Sequence, residues 1–212
     1  MLSPPSPPCA VVIPVKSFDI AKGRLGDALD EGERAALAKR MAATVVAAAA
    51  PLPVWVVCDS HDVAGWAVQQ GAGVIWRQVP GLNPAVTAAV DFLRGEGYER
   101  AIIAHGDLPL AAELAWVGEF DGVTIVRDRR GDGTNVAAVP TGSSFVFAYG
   151  SDSAAKHHAE AERLGLAVRV VDDERLGWDV DTAEDLAVFD GRQPNGEQEP
   201  ERKPERDPQE QP

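Results

Sequence analysis

The chain has 212 residues, 45% of them hydrophobic, and this size and composition predict one folded domain with a sizeable core, alone or with a tail. Its formal net charge at pH 7 is −13, which argues against non-specific binding to nucleic acid or to an anionic membrane, because both require an excess of Lys and Arg. An acidic protein that binds an anionic ligand needs local cations, and a metal ion would help to offset its charge.

The N-terminal segment and the cysteines indicate the compartment in which we expect the protein. The two cysteines, Cys9 and Cys58, form neither a CxxC motif nor a set with metal-ligand spacing. Free thiols suit a reducing environment, so we expect a cytoplasmic protein. Residues 1–8 carry no basic region followed by an apolar stretch, so they do not have the pattern of a signal peptide, and no apolar run is long enough to span a bilayer. We predict a flexible leader over residues 1–9.

The first half of the chain alternates short apolar runs with helical stretches. Residues 10–15 are apolar and rich in β-branched side chains, which is typical of a buried strand. Residues 31–50 place acids before bases, the order that the helix dipole favours, and Pro51 ends this stretch. We therefore predict strands at 10–15, 54–58 and 73–76, and helices at 31–50, 61–70 and 83–93, the last with Asn83 as N-cap and Pro84 at its first position.

The second half continues the alternation but contains a hairpin. Two strand-like runs are separated by Gly131-Asp132-Gly133, a turn sequence that predicts an antiparallel pair. We predict strands at 100–105, 122–126, 135–139 and 168–171, and helices at 153–164 and 182–188, the last with Thr182 as N-cap.

This order of elements predicts the fold class and the domain bounds. Strands that alternate with helices indicate an α/β protein whose sheet is covered on both faces, and the hairpin makes that sheet mixed, although mostly parallel. We expect the folded domain to span residues 10–190. From about Gly191 the composition shifts to Pro, Glu, Gln, Arg and Lys without a large apolar residue, which predicts a disordered acidic tail over 191–212.

A basic loop follows the first predicted strand. It carries Lys16, Lys22 and Arg24, with Gly23 between the last two. Ligands of open α/β sheets bind beyond the carboxyl ends of the strands, and three cations on one loop suit a polyphosphate, because each can form charge-assisted hydrogen bonds with phosphate oxygens. A solvated loop without function explains the same residues, and this stretch alone does not separate the two interpretations.

Carboxylates follow two later strands. Asp107 ends the fourth predicted strand, which places it at the same rim as the basic loop, where a carboxylate is a natural ligand for a hard cation such as Mg²⁺. Asp179 and Asp181 are two residues apart, so on an extended segment they point the same way and repel each other unless a cation lies between them. The structural alternatives are a helix N-cap or turn role for Asp107, and for the later pair either a helix that begins at Asp181 or exposure of both side chains to water.

Two polar sets lie between these acids. Asp128, Gly131, Gly133, Thr134 and Asn135 combine glycines that allow close approach of a ligand with neutral hydrogen-bonding groups, although a hairpin turn explains the glycines equally well. Residues 150–153 (Gly-Ser-Asp-Ser) precede a predicted helix and offer either an anion site or ordinary N-capping. The histidines at 105, 157 and 158 show no metal-ligand spacing, and we interpret them as structural or exposed.

Taken in order, these motifs resemble a known family. The motifs VIPVKxxxxAKxRL (12–25), GDLP (106–109), DxxGxGTN (128–135) and DxDTxxDL (179–186) are similar to those of the guanylyltransferases of deazaflavin coenzyme F-420 biosynthesis. These enzymes belong to the nucleotidyltransferases with the GT-A-like nucleotide-diphospho-sugar-transferase fold. The resemblance covers roughly residues 10–190 and leaves the leader and the tail outside.

The resemblance implies a reaction and a set of site residues. The reaction would join GMP from GTP to a small phosphorylated acid and release pyrophosphate, the acid being phosphoenolpyruvate in bacterial members and 2-phospho-L-lactate in archaeal ones. It implies Lys16, Lys22 and Arg24 as catalytic residues on the triphosphate, and Mg²⁺ as the cofactor on Asp107 and Asp181. It implies that the acid is bound by Thr134, Asn135, Gly150 and Ser153.

Other interpretations stay open at this level. A sugar-nucleotide or molybdopterin nucleotidyltransferase of the same fold would carry several glycines after the first strand, where this chain has Lys16-Ser17-Phe18. A non-catalytic nucleotide-binding module would not need acids after two strands. A Rossmann dehydrogenase is not supported, because no GxGxxG motif follows the first strand.

Overall fold

The computed structural model describes residues 9–78 and 80–192. The predicted leader, apart from Cys9, and residues 193–212 of the predicted tail lie outside the described residues. Within the described part, strands and helices alternate as expected. The strands are β1 (Cys9–Pro14), β2 (Val54–Cys58), β3 (Gly73–Trp76), β4 (Arg100–Ala104), β5 (Val123–Arg127), β6 (Thr134–Pro140) and β7 (Val168–Val171). The helices are α1 (Glu31–Ala48), α2 (His61–Gln69), α3 (Leu82–Gly95), α4 (Ser153–Arg163) and α5 (Ala183–Arg192).

The described strands form one mixed sheet in the order β3-β2-β1-β4-β6-β5-β7. β6 runs antiparallel to both of its neighbours, β4 and β5, while the pairs β1–β2, β1–β4, β2–β3 and β5–β7 are parallel. The predicted mixed, mostly parallel α/β sheet and its hairpin are therefore confirmed.

The central strands are buried on both faces, which is why they read as continuous apolar runs. Successive side chains of β1 alternate between the two helical layers. Val11 and Ile13 pack in the cluster that includes α1 and α2, whereas Ala10 and Val12 pack in the cluster that includes α3 and α4. Burial of the whole of β4 completes the centre of this sandwich.

Some local predictions differ from the structure. Asn83 is not the N-cap of α3, since that helix begins at Leu82 after Gly81, which has a φ of 96° that glycine adopts without strain. Cys9 lies in β1 and not in a leader, and α5 extends to Arg192, two residues into the predicted tail. Thr182 does cap α5, because its hydroxyl accepts a hydrogen bond from the Asp185 N–H at 3.3 Å.

The direction of the strands decides where functional groups meet. The strands β1, β4, β5 and β7 are parallel, so their carboxyl ends lie at one rim of the sheet. The antiparallel β6 begins at this rim, where Val136 pairs with Ala104 and Thr134 with Arg127. The loops that carry the basic residues, Asp107, the hairpin turn and the late aspartates therefore leave the sheet at one rim. None of the described helices combines the length and the apolar character needed to cross a bilayer.

The start of β5 supplies a test of this architecture. A Cβ atom at Gly122, whose φ is 153°, would lie 2.4 Å from the backbone oxygen of Ala167, which accepts the hydrogen bond that begins the β5–β7 pairing. Because a backbone atom cannot rotate away, we expect Gly122→Ala to lower the free energy of unfolding by about 2–3 kcal/mol. Gly142→Ala, where nothing lies within 4 Å of the added atom, is the matched control. Equal urea midpoints for the two variants would contradict this packing.

Candidate functional site

Three charged side chains from distant parts of the chain meet at the rim of the sheet. The ammonium group of Lys22 donates hydrogen bonds to Asp107 Oδ2 at 2.7 Å and to Asp181 Oδ1 at 2.9 Å. The Lys22 side chain is 9% exposed, whereas those of Asp107 and Asp181 are 26% and 40% exposed. Of the three cations predicted to meet these acids, the structure therefore places Lys22 between the two carboxylates.

The position of Lys22 follows from the backbone and from a buried anchor. Lys22 adopts a left-handed conformation, with φ 55° and ψ 37°, immediately before the short helical turn Gly23–Leu25. Leu25 is fully buried against Met41 of α1 and Val180. The loop is thus held by an apolar contact on one side of Lys22, which leaves the ammonium facing the acids.

The segments that carry Asp107 and Asp181 are held in place by residues of the conspicuous sequence motifs described above. Leu108 is fully buried directly after Asp107, and the Asp107 carbonyl accepts a hydrogen bond from the Val180 N–H at 3.4 Å. The backbone N–H of Asp181 donates to Asp185 Oδ2 at 3.0 Å. Asp185 is itself buried and paired with Arg129, which also stacks on Trp178. Arg129 and Asp185 therefore fix the segment that presents Asp181.

Mutual electrostatics decide the ionisation of this cluster. Burial raises the pKa of the Asp107 carboxyl, but the Lys22 charge outweighs it and holds that pKa below its ordinary value. Burial likewise lowers the pKa of the Lys22 ammonium, and the charges of Asp107 and Asp181 reverse this to a net increase. The pKa of Asp179 is raised, first by burial and then by the nearby charges of Asp107 and Asp181. The rim therefore concentrates negative charge that needs a cation.

The donor set fits a hard divalent cation that is shared with a phosphate. Asp107 Oδ1 is buried and has no hydrogen-bond partner among the described residues. Those residues contain no group of three His, Cys, Asp or Glu side chains arranged around a metal position. Mg²⁺ is commonly bound through one or two carboxylates, with water and substrate phosphates as its other ligands. Asp107 and Asp181 provide such a pair.

The other two predicted cations are less constrained. Arg24 is 79% exposed and its Nη1 lies 3.8 Å from Asp181 Oδ2, so it contacts the acid pair only weakly. Lys16 is exposed two residues beyond β1. Both side chains are therefore exposed on the loop that leaves β1 at this rim.

The predicted acid-binding residues lie on the α3–α4 side of the rim. Thr134 begins β6, and its hydroxyl is 3.0 Å from Nδ1 of His157 on α4. Ser153 begins α4, and its N–H donates to the Gly150 carbonyl at 3.2 Å, with Gly150 at a φ of 124°. The Ala154 N–H also donates to the Asp132 carbonyl at 3.0 Å, so the start of α4 lies against the hairpin turn that precedes Thr134. The side chains of residues 151–153 do not cap α4, whose N-cap Asp152 makes no capping hydrogen bond.

Asn135 and the hairpin turn have structural partners. The Asn135 side-chain amide is buried and donates to the Leu176 carbonyl at 3.1 Å, so it joins β6 to the segment before the late aspartates. Asp128 Oδ1 accepts from the N–H groups of Gly131 and Asp132 at 2.7 and 3.1 Å. Of the two explanations for the glycines, this geometry favours the turn.

His157 is a buried neutral histidine with a defined hydrogen-bond direction. Its Nε2 accepts from the Ala148 N–H at 2.9 Å, so the ring proton is on Nδ1 and is donated to Thr134 Oγ1. Burial lowers the pKa of His157 to about 4, with smaller contributions from His105 and Lys156. The histidine therefore stays uncharged at neutral pH.

Two residues near this side of the site have roles that sequence patterns did not indicate. The Asn83 side chain forms two hydrogen bonds with the backbone of Tyr149, at 2.7 Å to its N–H and at 3.3 Å to its carbonyl. This contact explains why Asn83 is not available to cap α3. The Tyr149 ring contacts those of His105 and His157, at centroid distances of 5.1 and 4.8 Å. Its position directly before Gly150 was the only sequence signal for Tyr149.

The chain matches a protein family over nearly all of its described residues. Residues 9–191 match the family described as "Guanylyl transferase CofC like". The chain is 32% identical over 194 residues to a phosphoenolpyruvate guanylyltransferase from Chloroflexus aggregans, which covers 84% of this chain and 95% of that protein. It is 34% identical over 185 residues to a 2-phospho-L-lactate guanylyltransferase from Methanothermobacter thermautotrophicus, with 84% and 82% covered.

Solved structures with low sequence identity share the fold. A nucleotidyl transferase from Methanothermobacter superposes with a TM-score of 0.60 at 14% identity, covering 85% of this chain and 95% of that one. Glucosyl-3-phosphoglycerate synthase from Mycobacterium tuberculosis, solved with Mg²⁺ and uridine diphosphate, gives a TM-score of 0.53 at 15% identity, covering 78% and 69%. The expected nucleotidyltransferase-like fold is confirmed.

The ion pairs of Lys22 generate a prediction about stability. We expect Lys22→Met, which keeps the apolar stem and removes the charge, to lower the free energy of unfolding at pH 7 by about 1–3 kcal/mol, because Asp107 is left without its cation. Arg24→Met, on the same loop but exposed, should change it by less than about 0.5 kcal/mol.

The pH dependence of this difference provides the check. The contribution of Asp107, whose pKa is depressed, is present above its ordinary pKa and lost as pH falls through the folded value. Urea unfolding from pH 7 to pH 3 should therefore show the difference between wild type and Lys22→Met shrinking below about pH 4. A constant difference would contradict the ion pair.

The neutral His157 predicts an acid-sensitive fold. Its pKa of about 4 lies below the ordinary value of 6.5, so the unfolded chain binds the proton more tightly and stability falls as pH decreases between these values. The loss should reach about 3 kcal/mol, since one pKa unit corresponds to about 1.4 kcal/mol. Urea unfolding of His157→Gln should lack this loss, whereas the exposed His158→Gln should retain it. The same loss in His157→Gln would assign it to another group.

Proposed function

Because the chain belongs to the CofC-like guanylyl transferase family, we propose that it is a guanylyltransferase that joins GMP from GTP to phosphoenolpyruvate and releases pyrophosphate. The product would enter the biosynthesis of the deazaflavin coenzyme F-420. The observation that carries this proposal is the meeting of Lys22, Asp107 and Asp181 at the rim of the sheet where Thr134 begins β6. We assign the activity to the folded domain, residues 10–190.

The choice of phosphoenolpyruvate is supported by relatives. The Chloroflexus aggregans relative is named for this acid, whereas the archaeal relative at similar identity is named for 2-phospho-L-lactate. The two acids share a phosphate and a carboxylate on a three-carbon skeleton and differ at one double bond. We take phosphoenolpyruvate as the substrate, with 2-phospho-L-lactate and 3-phosphoglycerate as the alternatives to be tested.

The chemistry requires positioning and charge neutralisation rather than a base. An oxygen of the acid's phosphate forms a bond to the α-phosphorus of GTP, and the bond between that phosphorus and the bridging oxygen to the β-phosphorus breaks. The bonding electrons leave with pyrophosphate. Because the attacking phosphate is already anionic at neutral pH, no side chain has to remove a proton.

Asp107 and Asp181 are the residues that we assign to a divalent cation. Bound Mg²⁺ would neutralise charge on the α-phosphate and on the attacking phosphate. Asp107 is ionised at neutral pH, because the Lys22 charge holds its pKa low in spite of burial. Asp185 and Arg129 keep the Asp181 segment in place, so the two carboxylates are already oriented in the free protein.

We assign the three cations of the first loop to the triphosphate. In the free protein Lys22 neutralises both acids, and on binding of GTP it would exchange carboxylate oxygens for phosphate oxygens. Lys16 and Arg24 are exposed, so they can reach the β- and γ-phosphates without breaking a strong contact. Charge that develops on the leaving pyrophosphate would then be stabilised by all three residues.

A coupled pyrophosphate-release assay tests the proposal. With Mg²⁺, GTP and phosphoenolpyruvate, we expect Asp107→Asn and Asp181→Asn to reduce turnover by at least about 100-fold, because each loses a charge that the transition state requires. Asp91→Asn on α3, where the aspartate is exposed and paired with Arg94, is the matched control and should retain turnover.

The same assay separates the alternatives. Each of the three acids is assayed with each of the four nucleoside triphosphates, and the preferred pair identifies the substrates. No pyrophosphate release with any pair, together with a thermal shift on addition of GTP and Mg²⁺, would indicate a nucleotide-binding module and reject the enzyme. Near-normal activity of Asp107→Asn would reject the metal assignment.

A further inference from the structure

Two buried polar atoms beside the site have no partner among the described residues. They are Nε2 of His105 and the hydroxyl oxygen of Tyr149, and their rings are in contact at a centroid distance of 5.1 Å. A buried polar atom without a hydrogen bond is unfavourable, so such atoms are rare in folded proteins and usually indicate an absent water or ligand. Because the two rings are in contact, one ligand beside them would be able to bind both atoms.

The two rings connect the segment of Asp107 with the residues proposed to bind the phosphorylated acid. His105 precedes Asp107 by two residues, and its backbone N–H donates to the Asn135 carbonyl at 3.0 Å. Tyr149 precedes Gly150, and its ring packs edge-on against His157, which contacts Thr134. This wall, formed by His105, Tyr149, His157 and Thr134, therefore joins the metal side of the rim to the N-terminus of α4.

The wall is held rigidly by its surroundings. Asn83 bonds both the N–H and the carbonyl of Tyr149, so the backbone that carries the phenol ring is fixed from α3. His157 accepts from Ala148 at Nε2 and donates from Nδ1 to Thr134 Oγ1. Because the Thr134 oxygen already accepts a hydrogen bond from His157, the O–H of Thr134 is left to donate to another group.

The wall presents hydrogen-bond donors. The Tyr149 phenol and the Thr134 hydroxyl each have an O–H to donate, and the imidazole of His105 can place an N–H at Nε2. Hydrogen-bond donors on neighbouring, partly buried side chains suit an anionic oxygen. The acid has two anionic groups, and its phosphate must reach the α-phosphorus beside Asp107 and Asp181. Its carboxylate is then the group left for the wall.

We propose that Tyr149 and His105, together with the Thr134 hydroxyl oriented by His157, bind the carboxylate of the phosphorylated acid and so select acids over other phosphate esters. This inference rests on the proposed function and assigns His105 and Tyr149 as specificity residues and His157 as a positioning residue.

Tyr149→Phe is the decisive variant. If the hydroxyl binds the carboxylate, the KM for phosphoenolpyruvate should rise about 10-fold, the effect of losing one hydrogen bond to a charged group, while the KM for GTP stays within about 2-fold. Removal of an unpartnered buried hydroxyl should leave the melting temperature of the free protein unchanged or higher. Tyr98→Phe, at the opposite end of β4, is the matched control and should keep the KM of the wild type.

A substrate without a carboxylate shows whether Tyr149 acts on the carboxylate or on the binding of any phosphate ester. Ethyl phosphate has the phosphate but no carboxylate, so its weaker KM should be the same for wild type and Tyr149→Phe. His105→Ala should likewise raise the KM for phosphoenolpyruvate and not that for ethyl phosphate. An equal rise for both compounds, or no change with phosphoenolpyruvate, would overturn the proposal, the latter showing that the hydroxyl binds only water.

A binding measurement keeps this test separate from that of the reaction. The thermal shift produced by phosphoenolpyruvate with GTP and Mg²⁺ is measured for wild type and for Tyr149→Phe without reference to turnover. A shift that is smaller in the variant supports the carboxylate site even if another acid proves to be the better substrate. Equal shifts, or no shift for wild type with any of the three acids, would overturn it.

Discussion

The contact of Lys22 with Asp107 and Asp181 is the interaction on which the rest of the site depends. The rim concentrates three carboxylates, and the raised pKa of Asp179, due to burial and to its acidic neighbours, reflects their mutual repulsion. One buried ammonium between two of them allows the protein to hold this charge in the free state. The same arrangement holds Asp107 and Asp181 oriented at the rim, where we assign them to a divalent cation.

Contacts from several elements of the fold stabilise this cluster of charged side chains. Buried residues next to each charged group, such as Leu25 beside the basic loop and Leu108 beside Asp107, hold the backbone by apolar packing. Asp185 and Arg129 hold the Asp181 segment by hydrogen bonds and an ion pair. The charged groups themselves then need little conformational freedom to meet, because their loops all leave one rim of the sheet.

The site has two chemically different sides. The side formed by the first loop and the acids is charged and partly exposed, which suits phosphates and a divalent cation. The side formed by His105, Tyr149, His157 and Thr134 is less exposed, and burial holds the pKa of His157 at about 4 and raises that of Tyr149 above its ordinary value. A ligand with a phosphate at one end and a carboxylate close by would contact both sides at once.

The sequence by itself determined the order and type of the elements, the mixed sheet, the hairpin, and the position of the basic loop and Asp107 at one rim, while the pairing of Asp107 with Asp181 was implied by the family resemblance. Apolar periodicity and turn residues are local signals, and the direction of parallel strands then places their ends together. Only the tertiary structure decided that Lys22 bridges the two acids, that Asn83 holds Tyr149, and that His157 orients Thr134. Along the chain, Lys22 is 85 and 159 residues from its two acidic partners, Asn83 is 66 residues from Tyr149, and His157 is 23 residues from Thr134. Such pairings depend on the packing of whole elements, to which no local sequence pattern corresponds.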